Sequence, residues 1–168
     1  IGDTPEDRIR TLSRIKALHE EFGHIQLVKI MPFVPRAGTE MADAHGIDQH
    51  TLIETVRLAR EILPLDVDIS VPVNVITDVM LLVENGVSDL GQIRVSGRDS
   101  LFPDKPFLAP EAYGELLGSN QYRLYKRLPL KNSFILSQKY SKKLGQFLDK
   151  YKLKLKENLR EDRFVLTC

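Results

Sequence analysis

Two prolines, Pro32 and Pro35, end a short apolar run and constrain this chain's architecture more than any other feature. The run begins after His24. Leu27, Val28, Ile30 and Met31 are apolar, and Gln26 and Lys29 interrupt them. Proline has no amide to donate to a ladder, so a strand here ends at Pro32. Arg36, Gly38 and Thr39 then fall on an exposed loop. Helical patterns lie on both sides. A strand between helices that runs into a constrained, polar-tipped loop is the unit from which α/β barrels are built, and that loop is where they place their chemistry.

The neighbouring segments repeat the unit. Thr4 suits an N-cap, Pro5 the first helical position, and Glu6 and Asp7 the positive end of the helix dipole. Ile9, Leu12, Ile15, Leu18 and Phe22 recur at helical spacing up to Gly23, which predicts a helix over 5–22. A second helix is predicted behind Asp48, with Leu52, Ile53, Val56, Ala59, Ile62 and Leu63 inward and Pro64 at its end. Residues 66–71 read as a short strand stopped by Pro72. Asn74 is the expected cap of a third helix carrying Val75, Ile76, Val79, Leu82 and Val83, which ends at Gly86. Residues 89–95 read as a third strand, with Gly91 marking a close backbone approach.

This alternation predicts right-handed parallel β-α units. Three strands fall short of the roughly eight that close a barrel, and the first residue is Ile1 rather than methionine. The expectation is therefore that an N-terminal half precedes this one. After residue 96 the alternation gives way to a stretch bearing Pro103, Pro106 and Pro110, a short helix at 111–117 and an extended piece at 121–125. A long helical pattern is predicted over 133–159. Nine Lys or Arg against four Asp or Glu between Lys139 and Arg163 make that end basic. The expected organisation is a half-barrel over 1–130 and a basic, helical C-terminal extension over 131–168.

The composition bounds the function. With 168 residues, 42% hydrophobic and 28% charged, the chain is a globular piece of one-domain size. A net charge of +1 argues against a general nucleic-acid partner. No run approaches the ~18 apolar residues of a membrane span, so no membrane partner is expected and the expected compartment is the cytoplasm. Cys168 is alone, and His19, His24, His45 and His50 show no metal-ligand spacing, so no metal site is expected within the chain.

Three groups of residues can carry chemistry. Gly2-Asp3-Thr4 forms a turn before a helix N-terminus, which binds anionic groups or simply caps the helix. Arg36 can clamp a carboxylate or a polar heterocycle, or be a solvated loop charge. Gln26 and Lys29, three apart, point to opposite faces of a regular strand. Ser70 and Asn74 flank the end of the second strand, while Gln92 and Arg94, two apart, share a face of the third. If that face is interior, the buried arginine requires a partner, and a ligand can be that partner.

The segments IGDTPEDRI, GHIQLVKIMPFVPRAGTEM, TVRLAREILP, ISVPVN and LLVENGVSDLGQI resemble the C-terminal half of the radical S-adenosylmethionine (SAM) barrel enzymes. Within that group they resemble the synthases of 7,8-didemethyl-8-hydroxy-5-deazariboflavin (FO), in the part that forms the deazaflavin ring. FPDKPFLAPE and YRLYKRLPL extend the likeness. The resemblance implies the last three strands of a (β/α) TIM-type barrel, an α/β fold. It also implies two cofactors, S-adenosyl-L-methionine and a [4Fe-4S] cluster, whose three cysteine ligands belong to the preceding half.

The implied reaction is that of a lyase of coenzyme F420 biosynthesis. It converts 5-amino-5-(4-hydroxybenzyl)-6-(D-ribitylimino)-5,6-dihydrouracil into FO and releases ammonia, 5′-deoxyadenosine and methionine. Alternatives are the precursor-forming sister subunit, a biotin-synthase-like enzyme, or a non-catalytic half-barrel binding subunit. The implied partners are a small-molecule substrate and the sister FO synthase subunit. By matching motifs, Gly2, Asp3, Thr4, Phe33, Val34 and Pro35 are the implied SAM-binding residues. Arg36, Ser70, Asn74, Gln92 and Arg94 are the implied substrate-side residues. Gln92 and Arg94 replace the small residues usual in the family, and no catalytic residue is named.

Overall fold

Thr4 starts the first helix by a reciprocal bond set. Its hydroxyl accepts from the Asp7 amide, and the Asp7 carboxylate accepts from the Thr4 amide and hydroxyl. With Pro5 at the first position and Gly23 left-handed at the end, α1 spans Pro5–Phe22, as its periodicity predicts. The computed structural model describes residues 2–76, 78–93, 99, 102–128, 130–137, 140–149 and 164–167.

The strand predicted from the opening run is shorter than its apolar stretch. β1 spans Leu27–Lys29 and pairs in parallel with β2, Asp68–Ser70. Helix α2, Gln49–Ile62, connects them and is capped by Asp48, whose carboxylate accepts from the Thr51 amide. Leu52, Val56, Ala59 and Leu63 are buried along one face of α2, and α1 and β2 pack against that helix. Val28 and Ile69 are register partners, so they share the sheet face that packs into this core. The opposite face carries the pairs Leu27–Asp68 and Lys29–Ser70 and is largely polar.

Two elements differ from the sequence expectation for local reasons. The third strand is reduced to one parallel bridge, Ser70 to Asp89. The Asp89 carboxylate accepts from the Gly91 amide at 2.7 Å, and Gly91 lies at φ 69°. This side-chain turn competes with the ladder, so residues 90–93 leave the sheet. Helix α3, Val79–Glu84, is capped by Asp78 rather than Asn74. Asn74 instead lies in a 3-10 turn, Val73–Val75, with its amide committed elsewhere.

Beyond residue 102 the chain forms α4, Pro110–Ser119, and β3, Arg123–Lys126. The long C-terminal helix is broken in two. Helix α5, Asn132–Ser137, precedes a second helical segment over 142–149, and Tyr140 and Ser141 between them are not helical. Ser141 accounts for the restart, because its hydroxyl accepts from the Leu144 amide as an N-cap does. The remainder of the predicted helix lies in 150–163, outside the described residues. The extension also contains a strand that the sequence reading lacked: β4, Phe164–Thr167, pairs in parallel with β3. The fold is mixed α/β, with a two-stranded parallel sheet at each end of the described chain. Among the described residues no helix is long and apolar enough to cross a membrane.

Candidate functional site

A cavity of about 680 Å³ opens at the C-terminal end of β1. Its walls are the turn before α1 (Gly2, Asp3), the run Ile30–Phe33, the loop around His45–Asp48, and the first turns of α2 (Thr51, Leu52, Thr55). Arg8 ties these walls together. It bonds the Asp3 carboxylate at 2.5 Å and the Thr55 hydroxyl at 3.0 Å, and Thr55 in turn donates to the Thr51 carbonyl. The Arg8 guanidinium holds the Asp3 carboxyl below its usual range, so Asp3 is anionic at neutral pH. Gly2 stands at φ 71°, a backbone conformation that favours glycine.

The loop after β1 is shaped by close backbone packing. The Ile47 amide donates to the Phe33 carbonyl at 3.2 Å. Gly46 lies so near that a Cβ there would stand 3.2 Å from Pro35 Cδ. On the other side of this loop are two smaller cavities. One, about 260 Å³, lies between Pro32–Pro35, the start of α2, Val75, Ile76 and Lys105. The other, about 270 Å³, lies between Val34–Ala37 and Phe102–Lys105.

Of the six implied SAM residues, Gly2, Asp3 and Phe33 meet in the large cavity, while Val34 and Pro35 line the smaller ones. Thr4 is exposed, and its hydroxyl is engaged in the helix cap. Among the substrate-side residues, Arg36 lines the 270 Å³ cavity. Ser70 is 1% exposed, and its hydroxyl has no hydrogen-bond partner among the described residues. Asn74 bonds Asp99 and the Lys105 carbonyl. Gln92 is exposed, and with no strand at 90–93 it has no strand-face neighbour there. Arg94 lies outside the described residues.

No protein-family model matches the chain, and no solved structure matches it. Curated proteins do match. A 7,8-didemethyl-8-hydroxy-5-deazariboflavin synthase of Methanococcoides burtonii is 38% identical over 149 residues, 89% of this chain and 44% of the relative. Synthases of the same name from Archaeoglobus fulgidus and Methanosphaerula palustris are 32% and 36% identical, over 90% and 94% of this chain and 46% and 47% of the relatives. The chain is homologous to the FO synthases. It spans about half the length of the curated relatives it matches.

For this relative of the FO synthases, reasoning from sequence missed three charged residues, one at the cavity and two on the polar sheet face. Arg8 was read only as part of a helix, although its spacing from Asp3 lets it reach back over the first turn. Asp89, fully buried, pairs with Arg127, whose side chain is 12% exposed. Asp89 is the bridge partner of Ser70, so this ion pair stands on the polar sheet face beside the Ser70 hydroxyl. Nothing in local sequence links residues 89 and 127. Arg127 falls in the segment YRLYKRLPL, which carries likeness but no assigned role.

Proposed function

We propose that this chain forms one side of a radical SAM lyase of the FO synthase type, acting in deazaflavin and coenzyme F420 biosynthesis. On this reading it contributes the last strands of a (β/α) barrel. The observation that carries the proposal is similarity at 32–38% identity over 88–94% of the chain to synthases of that name. The large cavity supports it. Its apolar walls, Ile30, Met31, Phe33 and Leu52, suit an adenine ring. The Asp3 carboxylate complements the ammonium or sulfonium of SAM, and Arg8 complements its carboxylate.

When bound, S-adenosylmethionine supplies hydrogen-abstracting chemistry. The residues here would bind and orient it, Asp3 and Arg8 at its charged end and Phe33–Pro35 beside its ring. They do not fit an iron–sulfur cluster. Such clusters are held by sets of cysteine thiolates, and this chain has one cysteine. Among the described residues no three His, Cys, Asp or Glu side chains group to hold a metal.

A chimera tests the proposal. Residues 2–149 replace the matching segment of the Methanococcoides burtonii synthase, and product is followed by its deazaflavin fluorescence. Formation of FO is the expected outcome. A folded, cluster-bearing chimera that cleaves SAM but makes no FO would remove the substrate assignment. One that binds the cluster but neither binds nor cleaves SAM would remove the cavity assignment as well.

A further inference from the structure

Lys105 lines both smaller cavities, and one side chain fastens the segment Phe102–Lys105 to the turn after β2. Asn74, in the turn after β2, donates through Nδ2 to Asp99 Oδ2 at 2.9 Å and to the Lys105 carbonyl at 2.9 Å. The two acceptors define the amide orientation, because the flipped amide would set its oxygen against both. The Asn74 oxygen is then buried without a partner among the described residues, an unfavourable placement that the two donated bonds offset. Asp99 also accepts from the Phe102 amide at 3.3 Å. Lys105 thereby lines both small cavities, facing the loop of Val34 and Pro35.

We propose that Asn74 is a positioning residue for the ligand of this region: its amide clasps Asp99 and the Lys105 carbonyl to the turn after β2 and holds the Lys105 wall against Phe33–Pro35. The role rests on the reading that Phe33–Pro35 flank the nucleoside part of SAM. It differs from direct substrate contact, since both Asn74 donors are already spent within the chain.

The test uses the 168-residue chain, with S-adenosylhomocysteine as a non-reactive probe. Asn74→Asp keeps the shape, removes both donors and sets a carboxylate against that of Asp99. Hydrogen exchange at the amides of Phe102, Asp104, Lys105 and Phe107 should accelerate about tenfold or more, the effect of losing roughly one net hydrogen bond. Affinity for the probe, measured by calorimetry, should fall by about fivefold or more. Amides in β2 and α2 should keep their protection. Combining Asn74→Asp with Asp99→Asn exchanges donor and acceptor, and should recover part of both effects.

Unchanged exchange in Asn74→Asp would overturn the clasp. Faster exchange with unchanged affinity would leave Asn74 a structural residue and overturn its positioning role. If the unaltered chain does not bind the probe, the nucleoside reading of the cavity fails and the positioning role with it. The exchange data would still report on the clasp in that case.

Discussion

Three aspartates show how single residues set the starts of α1 and α2 and the charge of the cavity. Each carboxyl is held below the ordinary value of 3.8. The causes are the Arg8 guanidinium beside Asp3, the Thr4 amide and hydroxyl at Asp7, and the Thr51 hydroxyl and amide at Asp48. Because the folded values are depressed, the stabilisation is present above 3.8 and is lost as pH falls through the lower folded values. Between pH 7 and 5 helices α1 and α2 should keep their first turns, and below about 3.8 those turns should fray. A carboxyl titration by NMR checks this; values at or above 3.8 for all three would refute it. These caps were legible in sequence, because a cap needs only residues three apart. The ion pair of Asp3 with Arg8, five apart, was not recognised.

At the scale of an element, Arg60 shows how a helix end is closed without a glycine. From α2 its guanidinium donates to the carbonyls of Leu63, Val67 and Pro64, the last at 2.5 Å. The Leu63 carbonyl belongs to the C-cap of α2, and those of Pro64 and Val67 to the turn that follows it. Arg60→Ala should cost about 2 kcal/mol or more in urea denaturation, since several partly buried acceptors lose a charged donor. Arg60→Lys should recover only part, because an ammonium cannot span three carbonyls as a planar fork does. Equal stability of all three proteins would show that water serves these carbonyls equally well. Gly86 shares this corner: a Cβ there would stand 2.7 Å from Arg60 Cβ, and its φ of 119° disfavours other residues. The bounds of α2 were readable from Asp48 and Pro64. The third strand was misread, because the Asp89 side chain captures the Gly91 amide, a preference that periodicity does not report.

At the scale of the molecule, Arg127 and Lys131 reach the polar face of the first sheet. Arg127 pairs with fully buried Asp89, the Lys131 ammonium lies 3.5 Å from the Asp68 carboxylate, and the Lys131 amide donates to Gln26 Oε1 at 2.6 Å. Removing one partner of a buried pair leaves an uncompensated charge. Asp89→Ala and Arg127→Leu should therefore each destabilise the fold by about 3–5 kcal/mol, and the double replacement should cost less than their sum. A double-mutant cycle in urea reads this directly. Additive effects would mean that the two charges do not depend on each other.

Local chemistry alone determined helices α1 and α2, their caps Thr4 and Asp48, and the strand that each helix adjoins. Those features depend on side chains within a turn or two of one another. The tertiary structure decided what lies far apart in sequence. It gathers Gly2, Asp3 and Phe33 around one cavity, spends Asn74 on the Lys105 carbonyl about thirty residues away and buries Asp89 against Arg127. The physical reason is that periodicity reports which face of an element is buried, whereas a buried polar group must be satisfied by whichever segment the fold brings to it. Pro32 ends the apolar run by a local rule; that the loop beyond it becomes a wall of three cavities follows only from what packs there.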